Sequence, residues 1–319
     1  MDEVKELIEK IVHSLLEYVE AIVSIEQKTE TGPFIKKELL YRGLSSSAYE
    51  LKPAVDRSPA GPWMNTLQSL EKELVESACR KFPLLFDAKD YPALLLAKLQ
   101  HFGIPTRMMD VTANALVALY FACQKSRDSK RANDDGKVYV FEESLCSPFN
   151  PYVNAIADTY RLTRNAFIGV DSYFYKVKLQ EYYKPADYDA NDQKTELEHF
   201  IKTIEAPYFV DAGDFCDRQK NQQGKFIIFP NKVTRIAKDA GKIWEDDLPE
   251  EETEPTMCDN LVEIDEETIA AQITISFDCK EEILEQLKRF GVSKEYLFAD
   301  SVDAVCGEIT NEISKRFSK

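Results

Sequence analysis

The chain lacks the features that would place it in several common functional classes. No run of about eighteen consecutive apolar residues occurs, so no membrane-spanning helix is expected. The opening MDEVKELIEK is acidic, where a secretory leader would be basic and then apolar, so no signal peptide is expected either. Its seven cysteines (Cys79, Cys123, Cys146, Cys216, Cys258, Cys279 and Cys306) form no CxxC pair, and their number is odd. This argues against a disulfide framework or zinc finger and for reduced thiols in a cytoplasmic setting. Histidine is scarce: His13, His101 and His199 lie far apart, without ligand-spaced carboxylates outside one acidic stretch, so no metal is expected. Positive charge is also short. A formal net charge of -16 speaks against a nucleic-acid backbone or an anionic membrane as partner.

What is present suffices for a sizeable core: 319 residues, 44% hydrophobic and 30% charged. Three parts are expected: an N-terminal helix over 1–30, a core over 31–235, and a segment over 236–319 packed on that core. In the first, Val4, Ile8, Ile11, Leu15, Tyr18, Ile22 and Ile25 recur at spacings of four and three. They predict one long amphipathic helix, stopped by Thr31-Gly32-Pro33, that packs on the body or pairs two copies as a homodimer.

The densest polar constellation lies in residues 94–123, LLLAKLQHFGIPTRMMDVTANALVALYFAC. Two apolar helical runs flank the connector GIPTR, with Gln100, His101, Thr106, Arg107, Asp110, Thr112 and Asn114 in or beside it. Polar side chains fixed between buried elements cost free energy unless they bond one another or a ligand. They therefore form either a network that locks two helices together or a binding site. Gly103 and Pro105 stiffen the link, and Thr106 or Asp110 is placed to cap the second helix. His101 alone reads as structural, and becomes a site candidate with Arg107 and Asp110 nearby.

Upstream, Leu39-Leu40-Tyr41 predicts a short strand ending in Arg42-Gly43. An arginine there can grip an anion through its planar fork or pair with a carboxylate, and the glycine permits close backbone approach. A helix is expected from Asn65 or Thr66, with Asn65 and Gln68 as a capping box. Downstream, 137–141 predicts a strand and 181–196 an exposed loop. A strand over 226–229 is entered through Gln222-Gln223-Gly224. These residues either line a cleft, where amides can read a carboxamide or ribose hydroxyl, or form a bulge with Gly224 supplying the turn. Residues 245–267 hold twelve acidic and no basic residues. They predict a solvated loop, with mimicry of nucleic-acid charge as the alternative. A strand over 271–277, an amphipathic helix capped by Gly291, and a last helix through 302–313 close the chain.

Tyr41-Arg42-Gly43, an intervening helix and LQHFGIPTRMMDVTANALVALYFA together resemble the FRG domain. That family is named for an aromatic-Arg-Gly motif, and its longer signature reads roughly QHxGxPTRLLDWTxNPxxALYFA. Gln100, His101, Gly103, Pro105, Thr106, Arg107, Asp110, Thr112 and Asn114 stand at those spacings, as do Ala118 to Ala122. Met108-Met109 replaces a leucine pair, Ala115 a proline, and Val111 a tryptophan on which a ligand could stack. Arg218, Gln222, Gln223, Gly224 and Phe226 match a further Arg, then Gln-Gln-Gly-aromatic run, so the resemblance is expected from about residue 35 onward.

The resemblance implies an α+β fold, a small mixed sheet with several helices around an ADP-ribosyltransferase-like core, in a bacterial protein. Carried over residue by residue, Arg42 would hold an NAD phosphate or ribose and the Gly43 backbone the nicotinamide amide. Thr106, Arg107 and Thr112 would support the ligand, with Gln222 or Gln223 near the ribose. Asp110, His101 and Gln222 are then the catalytic candidates, Asp110 offering negative charge to a ribosyl oxocarbenium ion. A nucleotide ligand, NAD as substrate, and ADP-ribosyl transfer or NAD glycohydrolysis follow as expectations. The alternative is a non-enzymatic nucleotide- or protein-binding module, in a defence or toxin system.

Overall fold

The computed structural model describes residues 7–27, 37–57, 67–87, 89–126, 128–161, 168–169, 202, 205–237 and 253–298. At the N-terminal end the expected single helix is two elements, a strand β1 (Ile8–Val12) and a helix α1 (Leu15–Glu26). β-Branched Ile8, Ile11 and Val12 lose rotamer freedom in a helix and suit a strand, and β1 pairs in parallel with Ile269–Ile275 (β10). The helix begins only after Ser14, whose hydroxyl accepts from the Glu17 amide at 3.2 Å. Glu17 Oε2 accepts from the His13 amide at 2.7 Å in return, giving a reciprocal cap. The inner face of α1 buries Tyr18, Ala21, Ile22 and Ile25, while Leu16, Val19 and Val23 stay exposed. Thr31-Gly32-Pro33, the helix start at Asn65, the 181–196 loop and the 302–313 helix lie outside the described residues.

The remaining strands are β2 (Glu38–Leu44), β3 (Met108–Thr112), β4 (Gly136–Glu143), β5 (Ile168–Gly169), β6 (Tyr208–Val210), β7 (Gly224–Ile228), β8 (Asn231–Ala237) and β9 (Thr253–Leu261). Seven of the ten described strands form a mixed sheet in the order β1-β10-β4-β2-β3-β7-β6, antiparallel except for β1 with β10. A second sheet runs β5-β9-β8. β9 corrects the acidic-loop expectation over 253–261: only Glu254 and Asp259 are acidic there, and the backbone bonds to β8 instead of water. Residues 245–252 are outside the described set.

The central stretch is likewise not two helices on a bare connector. Between α3 (Pro92–His101) and α4 (Ala115–Cys123) the chain forms β3, clamped between β2 and β7. Neither Thr106 nor Asp110 caps the second helix. Asn114 does, its Oδ1 accepting from the Leu116 amide at 3.0 Å.

Along the strands residues alternate between two faces. On one face, α1, α4 and α7 (Lys280–Arg289) cover Val138, Val140, Ala271 and Ile273. On the same face α2 (Leu67–Lys81), α3 and α5 (Pro151–Asp158) cover Met108, Phe226 and Ile228. Leu40, Met109, Tyr139 and Ile227 form a third cluster on the opposite face. β2 pairs with β4 from Glu38 to Leu44, but with β3 only at Tyr41–Thr112. The sheet is therefore split beside that pair, where the two helix-covered cores meet.

Candidate functional site

A cavity of about 390 Å³ sits at this split, within the size range of small-molecule sites. β2 contributes Arg42 and Gly43, the end of α3 contributes Gln100 and His101, and β3 contributes Asp110 and Thr112. The third wall is a short helix, α6 (Asp217–Asn221), and the start of β7: Arg218, Gln219, Gln222 and Lys225. Six of the nine residues expected at the site thus line one cavity: Arg42, Gly43, His101, Asp110, Thr112 and Gln222.

Arg42 crosses the split. Its Nη1 donates to the Asp110 carbonyl at 2.6 Å, while its buried Nε has no hydrogen-bond partner among the described residues. Burial pulls its guanidinium down to about 10; Asp110 opposes this and Arg57 adds to it. An acceptor oxygen from a ligand would satisfy the free N–H and relieve the burial cost of the charge.

Asp110 is the one acidic residue among the described lining residues. Its Oδ2 accepts from Gln100 Nε2 at 3.0 Å, and Gln100 Oε1 accepts from the Thr106 hydroxyl at 3.2 Å. Thr106 itself is fully buried, so it orients Gln100 from behind rather than facing the cavity. The expectation that Thr106 touches ligand is corrected accordingly.

Arg107 is corrected more sharply. It is 0% exposed and bonded on every side. Its Nη2 and Nε donate to Glu71 Oε2 at 2.7 and 2.9 Å, and its amide donates to Glu71 Oε1 at 2.7 Å. Nη1 reaches Asn231 Oδ1 at 2.8 Å and also the Thr159 hydroxyl. This network ties α2, α5 and β8 to the start of β3, and its complete burial keeps the guanidinium away from any ligand in the cavity. Glu71 had no motif to announce it, because a lone glutamate on an amphipathic helix reads as surface.

Gly43 lines the cavity, but its lack of a side chain has another cause. A Cβ there would lie 1.9 Å from the Ala118 carbonyl oxygen, so the residue lets α4 lie directly on β2. At the third wall, the Thr112 hydroxyl donates to the Gln222 carbonyl at 2.6 Å, and Gln222 Nε2 donates to the Leu297 carbonyl at 2.9 Å. Gln223 is exposed and does not line the cavity; at φ +46 it, not Gly224, makes the turn into β7. That corrects both its ligand role and the bulge alternative.

Three wall residues were missing from the expected site: Arg218, Gln219 and Lys225. Arg218 stands 4.8 Å from the Phe298 ring centroid, and its Nη1 donates to the His101 carbonyl at 3.4 Å. Lys225 pairs with Asp211 at 2.7 Å. Burial raises the Asp211 carboxyl, but the Lys225 and Gly213 hydrogen bonds outweigh this and hold it below its ordinary value. Arg218 had appeared only as a motif match, and Lys225 follows Gly224 directly. What the sequence did not carry was the distance across the split.

Fold and cavity together define an α+β domain with a cationic, amide-rich pocket at a break in its sheet. Residues 37–131 match the family model for the FRG domain, and the chain carries that domain. The match takes in Arg42, His101 and Asp110 and ends well before the Arg218–Gly224 wall. No curated protein and no solved structure matches the chain. No helix among the described residues is long and apolar enough to cross a membrane.

Proposed function

We propose that the cavity binds an anionic nucleotide of the NAD type and acts on it by NAD glycohydrolysis or ADP-ribosyl transfer. One observation carries the binding part. A chain of net charge -16 gathers Arg42, Arg218 and Lys225 around one cavity whose only described acid is Asp110. Such an inversion of charge favours a phosphate-bearing ligand, and Arg42 keeps an Nε–H with no partner among the described residues. Gln100, Gln219 and Gln222 supply amides suited to ribose hydroxyls and a carboxamide.

For the reaction, cleavage of the bond between the ribose and nicotinamide leaves its electron pair on nicotinamide and a cationic sugar. Asp110, held by Gln100, is the group that can stabilise that cation before water or an acceptor attacks. A non-enzymatic binding module is the second reading, and one contact favours it: the Gln222 side-chain N–H₂ is engaged by the Leu297 carbonyl, away from chemistry. Thermal unfolding with millimolar NAD or ADP-ribose tests binding, since a ligand of the native state must raise the transition temperature. Nicotinamide release on incubation with NAD, lost in Asp110→Asn, then separates enzyme from binder.

A further inference from the structure

We propose that Cys216 is a covalent modification site, a nucleophilic thiol activated by His101 that exchanges with small disulfides and so couples thiol chemistry to the cavity. Its Sγ lies 2.9 Å from His101 Nε2. His101 is 7% exposed, and its ring is held edge-on by Phe102 and Phe215, at centroid distances of 5.4 and 5.3 Å. One ring nitrogen is thereby presented to the sulfur in a fixed orientation. A thiolate is the reactive form, and an adjacent imidazole that takes the thiol proton generates it.

The surroundings support this. The sulfur accepts from the Gln219 amide at 3.4 Å, and Arg218 places a cation at the His101 carbonyl. Asp214 and Asp217 flank the cysteine in sequence and are the opposing charges. A separate feature marks this end of the cavity for a ligand. Gln219 is 2% exposed and lines the cavity, yet its Oε1 has no hydrogen-bond partner among the described residues. Cys79 and Cys146, partly buried as Cys216 is, serve as internal references; burial pushes their thiols up, as it does Cys279 and, to about 12, Cys123.

In the exchange step the Sγ proton moves to His101 Nε2 and the thiolate attacks one sulfur of the disulfide. The old S–S bond breaks as the new one to Cys216 forms, and the departing thiolate takes the proton from the imidazolium. The Cys216 sulfur rises by one oxidation level and the departing sulfur falls by one, so the exchange needs no further oxidant. The adduct removes the Sγ–His101 contact and so disturbs a cavity wall. Nothing in this step depends on which ligand the cavity binds.

The test uses the full chain, iodoacetamide and cystamine at pH 7, and peptide mass spectrometry of each cysteine over time. Cys216 should alkylate on the order of tenfold faster than Cys79 and Cys146 and form the cystamine adduct first. His101→Gln should bring the Cys216 rate down to theirs and leave theirs unchanged. Equal rates for the three cysteines in the unmutated protein overturn the proposal, even should the variant fail to fold. An undiminished Cys216 rate in a folded His101→Gln protein overturns it as well.

Discussion

Arg107 and Arg42 are both arginines of the FRG motifs, and both lie against β3, yet they are opposites in physical terms. Arg107 is 0% exposed and its guanidinium is bonded to Glu71, Asn231 and Thr159. Arg42 spans a split in the sheet, holds one carbonyl, and keeps a buried N–H without a partner among the described residues. A saturated buried ion belongs to the architecture, because any ligand would have to break bonds already made. An unsaturated one beside a cavity is ready to bond a ligand. One short signature therefore mixes a residue that keeps the fold with residues that face the cavity.

The comparison can be broken at either end. The largest effect is expected from Arg107→Ala, which leaves Glu71 charged and buried. Breaking such a pair costs about 3–5 kcal/mol, to be read as a fall in the urea midpoint, with nucleotide affinity of the surviving folded fraction unchanged. Next comes Gly43→Ala. Its Cβ would meet the Ala118 oxygen at 1.9 Å, so α4 must shift, at about 1–3 kcal/mol by thermal unfolding.

Arg42→Gln should do the converse of Arg107→Ala. Loss of a charged hydrogen bond of about 1.5–3 kcal/mol weakens nucleotide binding roughly ten- to a hundredfold in a calorimetric titration. The transition temperature without ligand should fall less than in Gly43→Ala. Smallest is Asp211→Asn, which removes the partner of Lys225. A carboxyl held below its ordinary value stabilises the fold above that value, and the contribution disappears as pH falls through the lowered one. The pair is partly exposed, so the variant should lose less than about 1 kcal/mol near neutral pH and nothing in acid.

Much of this was legible in the residues, and the failures have physical causes. The α+β class came with the family resemblance, while β2, β4, β7 and the helix ending near Gly291 followed from period and turn residues, because local pattern governs them. The N-terminal heptad misled because Ile8, Ile11 and Val12 fit a strand equally well, and only β10 decides between the two. β3 hid between two apolar helices because its pairing partners are distant in sequence. At the site, the polar residues around GIPTR were conspicuous, but whether each one faces a cavity or a buried partner depends on Glu71, Asn231 and the split beside Tyr41. None of these is adjacent in the chain.

The account rests on Arg42 and its neighbours holding an anionic nucleotide, and titration of NAD into the intact chain and into Arg42→Gln tests this most directly. Saturable binding by the first, weakened at least tenfold in a variant that still unfolds cooperatively, is the predicted result. Absence of binding to the intact chain at millimolar NAD, or equal affinity in the two proteins, would contradict it.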